Sequence, residues 1–156
     1  MRIVGLDIGQ RRIGVAISDA SRTLARPVGV IQTRGLDGQA LDRVAGEIAR
    51  LAAEDDEVGA EVGAIVVGLP RRLDGTANDM TAPVQTFAAQ LQARLQCPVV
   101  LQDERLTSRE AESRLALREK DWRVRKQKID AAAAAIILQD YLDSASTSTS
   151  VEPKPS

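Results

Sequence analysis

The chain has 156 residues, 44% of them hydrophobic, and its 21 basic and 22 acidic side chains leave a formal net charge of −1. That composition predicts one soluble globular domain large enough to bury its own core. With no histidine anywhere, an imidazole base, a serine–histidine triad and histidine-ligated zinc are excluded, and hydrolysis would fall to carboxylates and hard cations.

The elements are predicted in chain order as follows. Ile3 to Leu6 reads as a buried strand, with Asp7 directly after it and a turn through Gly9 to Arg12. Asp7 interrupts the apolar start too early for a secretory signal. Ile13, Val15 and Ile17 alternate as the partner strand of a hairpin would. A third strand over Pro27 to Gln32 is expected at a sheet edge, because proline cannot donate to a ladder. Leu41, Val44, Ile48 and Leu51 recur at helical spacing and predict a helix from Gly38 to Glu54. The apolar run Ala64 to Gly68 suits a central parallel strand buried on both faces, with the loop Leu69 to Thr76 at its carboxyl end.

Val84, Phe87, Leu91 and Leu95 mark a second helix, and Val99 to Gln102 a last strand that ends at Asp103-Glu104. Thr107 with Glu110 forms a capping-box pattern for a third helix. Asp130 is expected to open a final helix running to about Leu142. Residues 144–156, rich in serine and threonine with Pro153 and Pro155, read as a disordered tail after a domain spanning 1–143. The order predicts an α/β domain, a mixed five-stranded sheet flanked by helices. The longest apolar run, Ala131 to Leu138, is far short of a membrane span. Cys97 has no partner for an internal disulfide, which suits a reducing cytoplasm, and it reads as a small buried hydrophobe.

Ligands of such sheets gather at the carboxyl ends of parallel strands. Asp7, the Arg71-Arg72 loop and Asp103-Glu104 are all predicted there, and Asp130 adds a third acidic station. Each station has cations beside it: Arg11 and Arg12, Arg105, and Lys126 with Lys128. Carboxylates crowded together repel unless a cation joins them. Two divalent ions held about 4 Å apart would do so and would stabilise the attacking and leaving oxygens of a phosphoryl displacement. Strand alternation puts Asp103 and Glu104 on opposite faces, and the pattern alone does not choose between them. Residues 118–128 form a basic island around Trp122, with Arg123, Arg125, Lys126 and Lys128. It reads either as a phosphate-binding footprint, with Trp122 stacking on an unpaired base, or as a solvated loop whose tryptophan packs on a helix.

Four segments resemble the YqgF (RuvX) family of bacterial proteins in order and spacing. They are Gly5-Leu6-Asp7-Ile8-Gly9 with Arg12-Ile13-Gly14-Val15-Ala16; Val67-Gly68-Leu69-Pro70 with Asp74-Gly75-Thr76; Asp103-Glu104-Arg105-Leu106-Thr107-Ser108; and Lys128-Ile129-Asp130-Ala131-Ala132-Ala133. The resemblance implies an RNase H-like fold related to Holliday-junction resolvases. It also implies a cytoplasmic nuclease that matures the 5′ end of pre-16S ribosomal RNA, with junction or other branched-DNA cleavage as the alternative. The acidic positions it implies are Asp7, Glu104 and Asp130, holding Mg²⁺ or Mn²⁺, while Arg11, Arg12, Arg71, Arg72, Arg105 and the basic island would hold substrate. Two departures are Gln10, where the family usually has threonine, and the run of alanines after Asp130, where a small hydroxyl residue is common. Two rival readings stand beside it. One is an actin-like ATPase, whose fold needs two such domains; the other is a non-catalytic nucleic-acid-binding factor. A homodimer would be required for paired cuts at a junction.

Overall fold

The hairpin that opens the chain pairs β1 (Arg2–Ile8) antiparallel with β2 (Arg12–Ser18), and β2 in turn pairs antiparallel with β3 (Ala25–Gln32). In this computed structural model the structure describes residues 1–53, 62–72, 74–103 and 122–151, with the backbone alone for 122–130 and 146–151. β4 (Val62–Leu69) lies parallel to β1, and β5 (Val99–Asp103) parallel to β4, giving the sheet order β3-β2-β1-β4-β5. The carboxyl ends of β1, β3, β4 and β5 therefore share one edge of the sheet. β3 is an outer strand, as Pro27 requires. A register shift between Val15 and Ala16 of β2 passes Val28 over without a partner, a bulge beside the proline.

Both faces are covered, and strand alternation sorts the side chains between them. Val4, Leu6, Ile8, Ile13, Val15, Ile17, Ile65, Val67 and Leu69 point to one core. There they meet Val44, Ile48 and Leu51 of α1 (Gly38–Ala53) and Val84, Phe87 and Leu91 of α2 (Thr81–Leu95). Ile3, Ala16 and Val66 point the other way, against Ala134, Ile137, Leu138 and Leu142 of α3 (Trp122–Val151). Of the stripes expected on α1 and α2, Val44, Ile48, Leu51, Val84, Phe87 and Leu91 are buried, and Leu41 and Leu95 are part-buried against the same core. None of the described helices is long and apolar enough to cross a membrane.

Three expectations need correction. Asp7 lies inside β1, opposite Gly14 in the ladder, rather than after the strand. Asp130 does not open the last helix, because α3 begins at Trp122 and takes in residues 122–128 of the basic island. The helix also passes Leu142 and runs to Val151, through much of the segment expected to be disordered. Between Ala131 and Val151 no glycine or proline stops it, and serine and threonine cost only tenths of a kcal/mol against alanine. Pro153, which disfavours helical backbone in the residue before it, is the first breaker. The capping box at Thr107 and Glu110 lies outside the described residues.

Candidate active site

Alternation along β1 assigns Asp7 to the α3 face, in line with Ile3 and Gly5. At Gly5 a Cβ would stand 2.8 Å from Leu138 Cβ and 3.0 Å from the Ala134 carbonyl oxygen, so α3 rests directly on the strand backbone. The direction of α3 follows from a second anchor farther along. Gln139 Oε1 accepts from Ala25 N at 2.9 Å, and Ala25 pairs with Ser18, whose Oγ accepts from Ile3 N at 2.8 Å. Passing from Ile3 through Gly5 toward Asp7 thus retraces α3 from Gln139 through Ala134 toward its N-terminus. Asp130 is one helical turn before Ala134, about 6 Å along the axis, and Asp7 is two strand residues past Gly5, about 7 Å. The Asp130 backbone therefore lies toward the Asp7 end of β1.

Asp7 is half-buried, and glycines flank it on both neighbouring strands. Gly14 is its ladder partner on β2, and Gly68 follows Val67, the partner of Leu6, on β4. Glycine inside a strand costs stability and is explained where something must come close to the backbone. Here Gly14 and Gly68, both buried, put no side chain beside the one carboxylate on either neighbouring strand. Arg12 shares that face two residues before Gly14 and is half-buried. Arg11 is exposed in the turn, which is closed by Gly9 N donating to Arg12 O at 2.8 Å.

Asp103 behaves differently. It pairs with Leu69, and Leu69, Val67 and Ile65 all belong to the core under α1 and α2, where Val99 also packs. Asp103 thus faces away from Asp7, on the opposite side of the sheet. Glu104 and Arg105 lie outside the described residues. Arg71 and Arg72 are exposed at the same sheet edge, in a loop held by Arg72 N donating to Thr76 O at 2.9 Å and Gly75 N donating to Arg72 O at 2.8 Å. Gly75 has φ 89°, a left-handed backbone that other residues adopt at a cost. Asp74 is used locally, its Oδ1 accepting from Thr76 N at 2.9 Å and Thr76 Oγ1 at 2.7 Å. For Trp122, Arg123, Arg125, Lys126, Lys128 and Asp130 the description ends at helical backbone. No three acidic or cysteine side chains cluster among the described residues. Cys97 is part-buried, its Sγ 4.0 Å from the Val62 carbonyl oxygen, and burial pushes its thiol up.

The sequence reading missed the roles of Gly5, Gly14 and Gly68. The signal was present, since each is a glycine within a predicted strand. The family profile for RuvX, Holliday junction resolvase, matches residues 1–144.

This chain belongs to the RuvX family.

A relative of the family from Chloroflexus aggregans, named "Putative pre-16S rRNA nuclease", is 45% identical over 142 residues, covering 90% of this chain and 92% of its own. A relative of the same name from Anaeromyxobacter dehalogenans is 43% identical over 143 residues, covering 92% and 97%. Among solved structures, the fowlpox virus resolvase in complex with Holliday junction DNA superposes with a TM-score of 0.55 at 12% identity, covering 93% of this chain and 99% of its own. That likeness identifies the fold as the one this resolvase shares, the RNase H-like arrangement expected from the motifs.

Proposed function

We propose that this protein is a divalent-metal-dependent nuclease that hydrolyses phosphodiester bonds in structured RNA, with the 5′ end of pre-16S ribosomal RNA as its substrate. The observation that carries the reading is the placement of Asp7: half-buried, on the sheet face that α3 crosses, between two glycines and with the Asp130 backbone at its end of β1. The names of the 45% and 43% identical relatives supply the substrate.

In this reading Asp7, Glu104 and Asp130 hold Mg²⁺ or Mn²⁺. Their oxygens are the hard donors such ions take, and Gly14 and Gly68 add no side chain of their own beside Asp7. Bound divalent cations would offset the crowded carboxylates and stabilise charge on the attacking and leaving oxygens of an in-line displacement. The protein's own part is to hold the acids at fixed spacing on strand and helix, and to orient the phosphate. Arg11, Arg12, Arg71 and Arg72, from the turns after β1 and β4, meet flanking phosphates, and Arg105, Arg123, Arg125, Lys126 and Lys128 extend that contact. Trp122 stacks on an unpaired base. The position of Asp103 on the far face favours Glu104 as the third acid.

The test is cleavage of an end-labelled panel of pre-ribosomal RNA, four-way DNA junction and single strands, with Mg²⁺, Mn²⁺ or EDTA. Metal-dependent cutting of the RNA is expected, and its abolition by EDTA. Preference for the junction would instead support a resolvase, which needs a two-fold pair of sites. Metal-independent binding without any scission would leave a nucleic-acid-binding factor.

A further inference from the structure

We propose that a pocket at the carboxyl end of β3 binds a backbone phosphodiester of the same nucleic-acid strand, away from the scissile bond; this rests on the nuclease reading above. The pocket is a cavity of about 230 Å³ whose walls include Gln32, Thr33, Arg34, Asp37 and Arg43. That is room for a phosphate group together with several waters.

Its charge is available. Arg34 and Arg43 are exposed, and among the described residues neither has a carboxylate partner. Asp37, in the same wall, is occupied at the start of α1, where its Oδ1 accepts from Ala40 N at 3.0 Å. Arg43 is held in place by one neutral contact, Nη1 donating to the Gln32 carbonyl oxygen. By contrast, Arg50 and Arg94, elsewhere on α1 and α2, are paired with Glu47 and Asp42. A guanidinium positioned by a carbonyl keeps its full charge and its remaining donors for an anion, and arginine is suited to phosphate for that reason.

The pocket is also tied to the candidate active site. Thr33 N donates to Arg11 O at 2.8 Å and Thr33 Oγ1 to Gln10 O at 3.3 Å, so one wall is bolted to the turn that follows Asp7's strand. β3 is two strands from β1 in the sheet order, about 10 Å at strand spacing. Neighbouring phosphates of one strand cover that distance within a few nucleotides. The edge then presents cations in sheet order: Arg34 and Arg43 by β3, Arg11 and Arg12 at the hairpin, Arg71 and Arg72 after β4. A strand crossing this edge from the α1 side, where Arg43 lies, would come to Asp7 on the α3 face.

The experiment measures equilibrium binding of the full chain to a fluorescein-labelled pre-ribosomal RNA stem with a single-stranded 5′ extension, in EDTA, across a salt series. Arg34→Ala is expected to weaken binding about five- to tenfold at 0.1 M salt and to lower the slope of log affinity against log salt by ~1. Arg43→Ala is expected to do the same. Arg26→Ala, at the opposite end of β3, should leave the slope at its wild-type value. Since Arg43 also braces Gln32, Arg34→Gln provides a second variant without that contact, and both are checked by thermal melting. A slope unchanged in the two Arg34 variants, or lowered equally by Arg26→Ala, overturns the proposal. So does a pocket that takes up inorganic phosphate while the RNA slope stays fixed. Because no cleavage is read, absence of nuclease activity overturns the function proposed above and not the pocket.

Discussion

Asp7 is one carboxylate between two glycines, and the expected effect of altering it follows from that setting. Asp7→Asn removes charge but not volume, so cleavage should fall at least about a hundredfold while the thermal midpoint stays near or above wild type, since like-charge repulsion is relieved. Undiminished cutting by a well-purified Asp7→Asn sample would end the assignment. The neighbouring pair Asp103-Glu104 gives a sharper contrast. Asp103 lies on the face of Leu69 and Val67, so Asp103→Asn should leave kcat within about twofold, while Glu104→Gln should cost as much as Asp7→Asn. Equal loss in both variants would contradict the face assignment. Cys97 needs no chemical role: its part-buried thiol is pushed up by desolvation, which favours the unreactive protonated form.

Between elements, the contact that matters most is α3 on β1. Gly5→Ala would drive a methyl group into Leu138 Cβ and the Ala134 carbonyl, at 2.8 and 3.0 Å, and the helix backbone cannot turn aside as a flexible side chain would. A destabilisation of about 1–3 kcal/mol is expected from such overpacking. Lifting α3 also moves Asp130 relative to Asp7, so the half-saturating Mg²⁺ concentration for cleavage should rise. Loss of stability with an unchanged metal requirement would show that the contact is purely structural. The β2–β3 connection offers a test in pH. Asp19 accepts from Thr23 N at 2.8 Å, Leu24 N at 3.2 Å and Ser21 Oγ at 3.0 Å, and these bonds, that from Thr23 foremost, hold its carboxyl below the usual value of 3.8. A depressed folded-state pKa means the stabilisation is present above the unfolded value and is lost as pH falls through the folded one. Asp19→Ala should flatten the acid limb of the stability profile below about pH 4, as read by urea melts, and leave the neutral limb parallel to wild type.

Over the whole molecule, one edge of one sheet gathers the carboxyl ends of four strands, and the acidic residue and the exposed arginines assemble there although they are far apart in the chain. The apolar runs of β1 and β4, the alternation of β2, the proline of β3 and the stripes of α1 and α2 were legible in the sequence, because each is a local pattern set by residues a few positions apart. Asp7, Glu104 and Asp130 stood out only through motifs. The sequence could not tell where α3 begins: a basic run beside an aspartate looks like a loop and a helix start, yet nothing in it breaks a helix, and α3 runs back to Trp122. Nor could it choose a face for Asp103, since Val99, Val100 and Leu101 put apolar residues on both phases of β5, which in the fold is an outer strand with no fully buried residue. Local chemistry by itself therefore determined which residue types are present and the period of each element. Only the tertiary structure decided that Gly5 lets α3 rest on β1, that Gly14 and Gly68 flank Asp7, and that Arg34 and Arg43 share its edge, because pairing register and helix direction are set by contacts between residues distant in sequence.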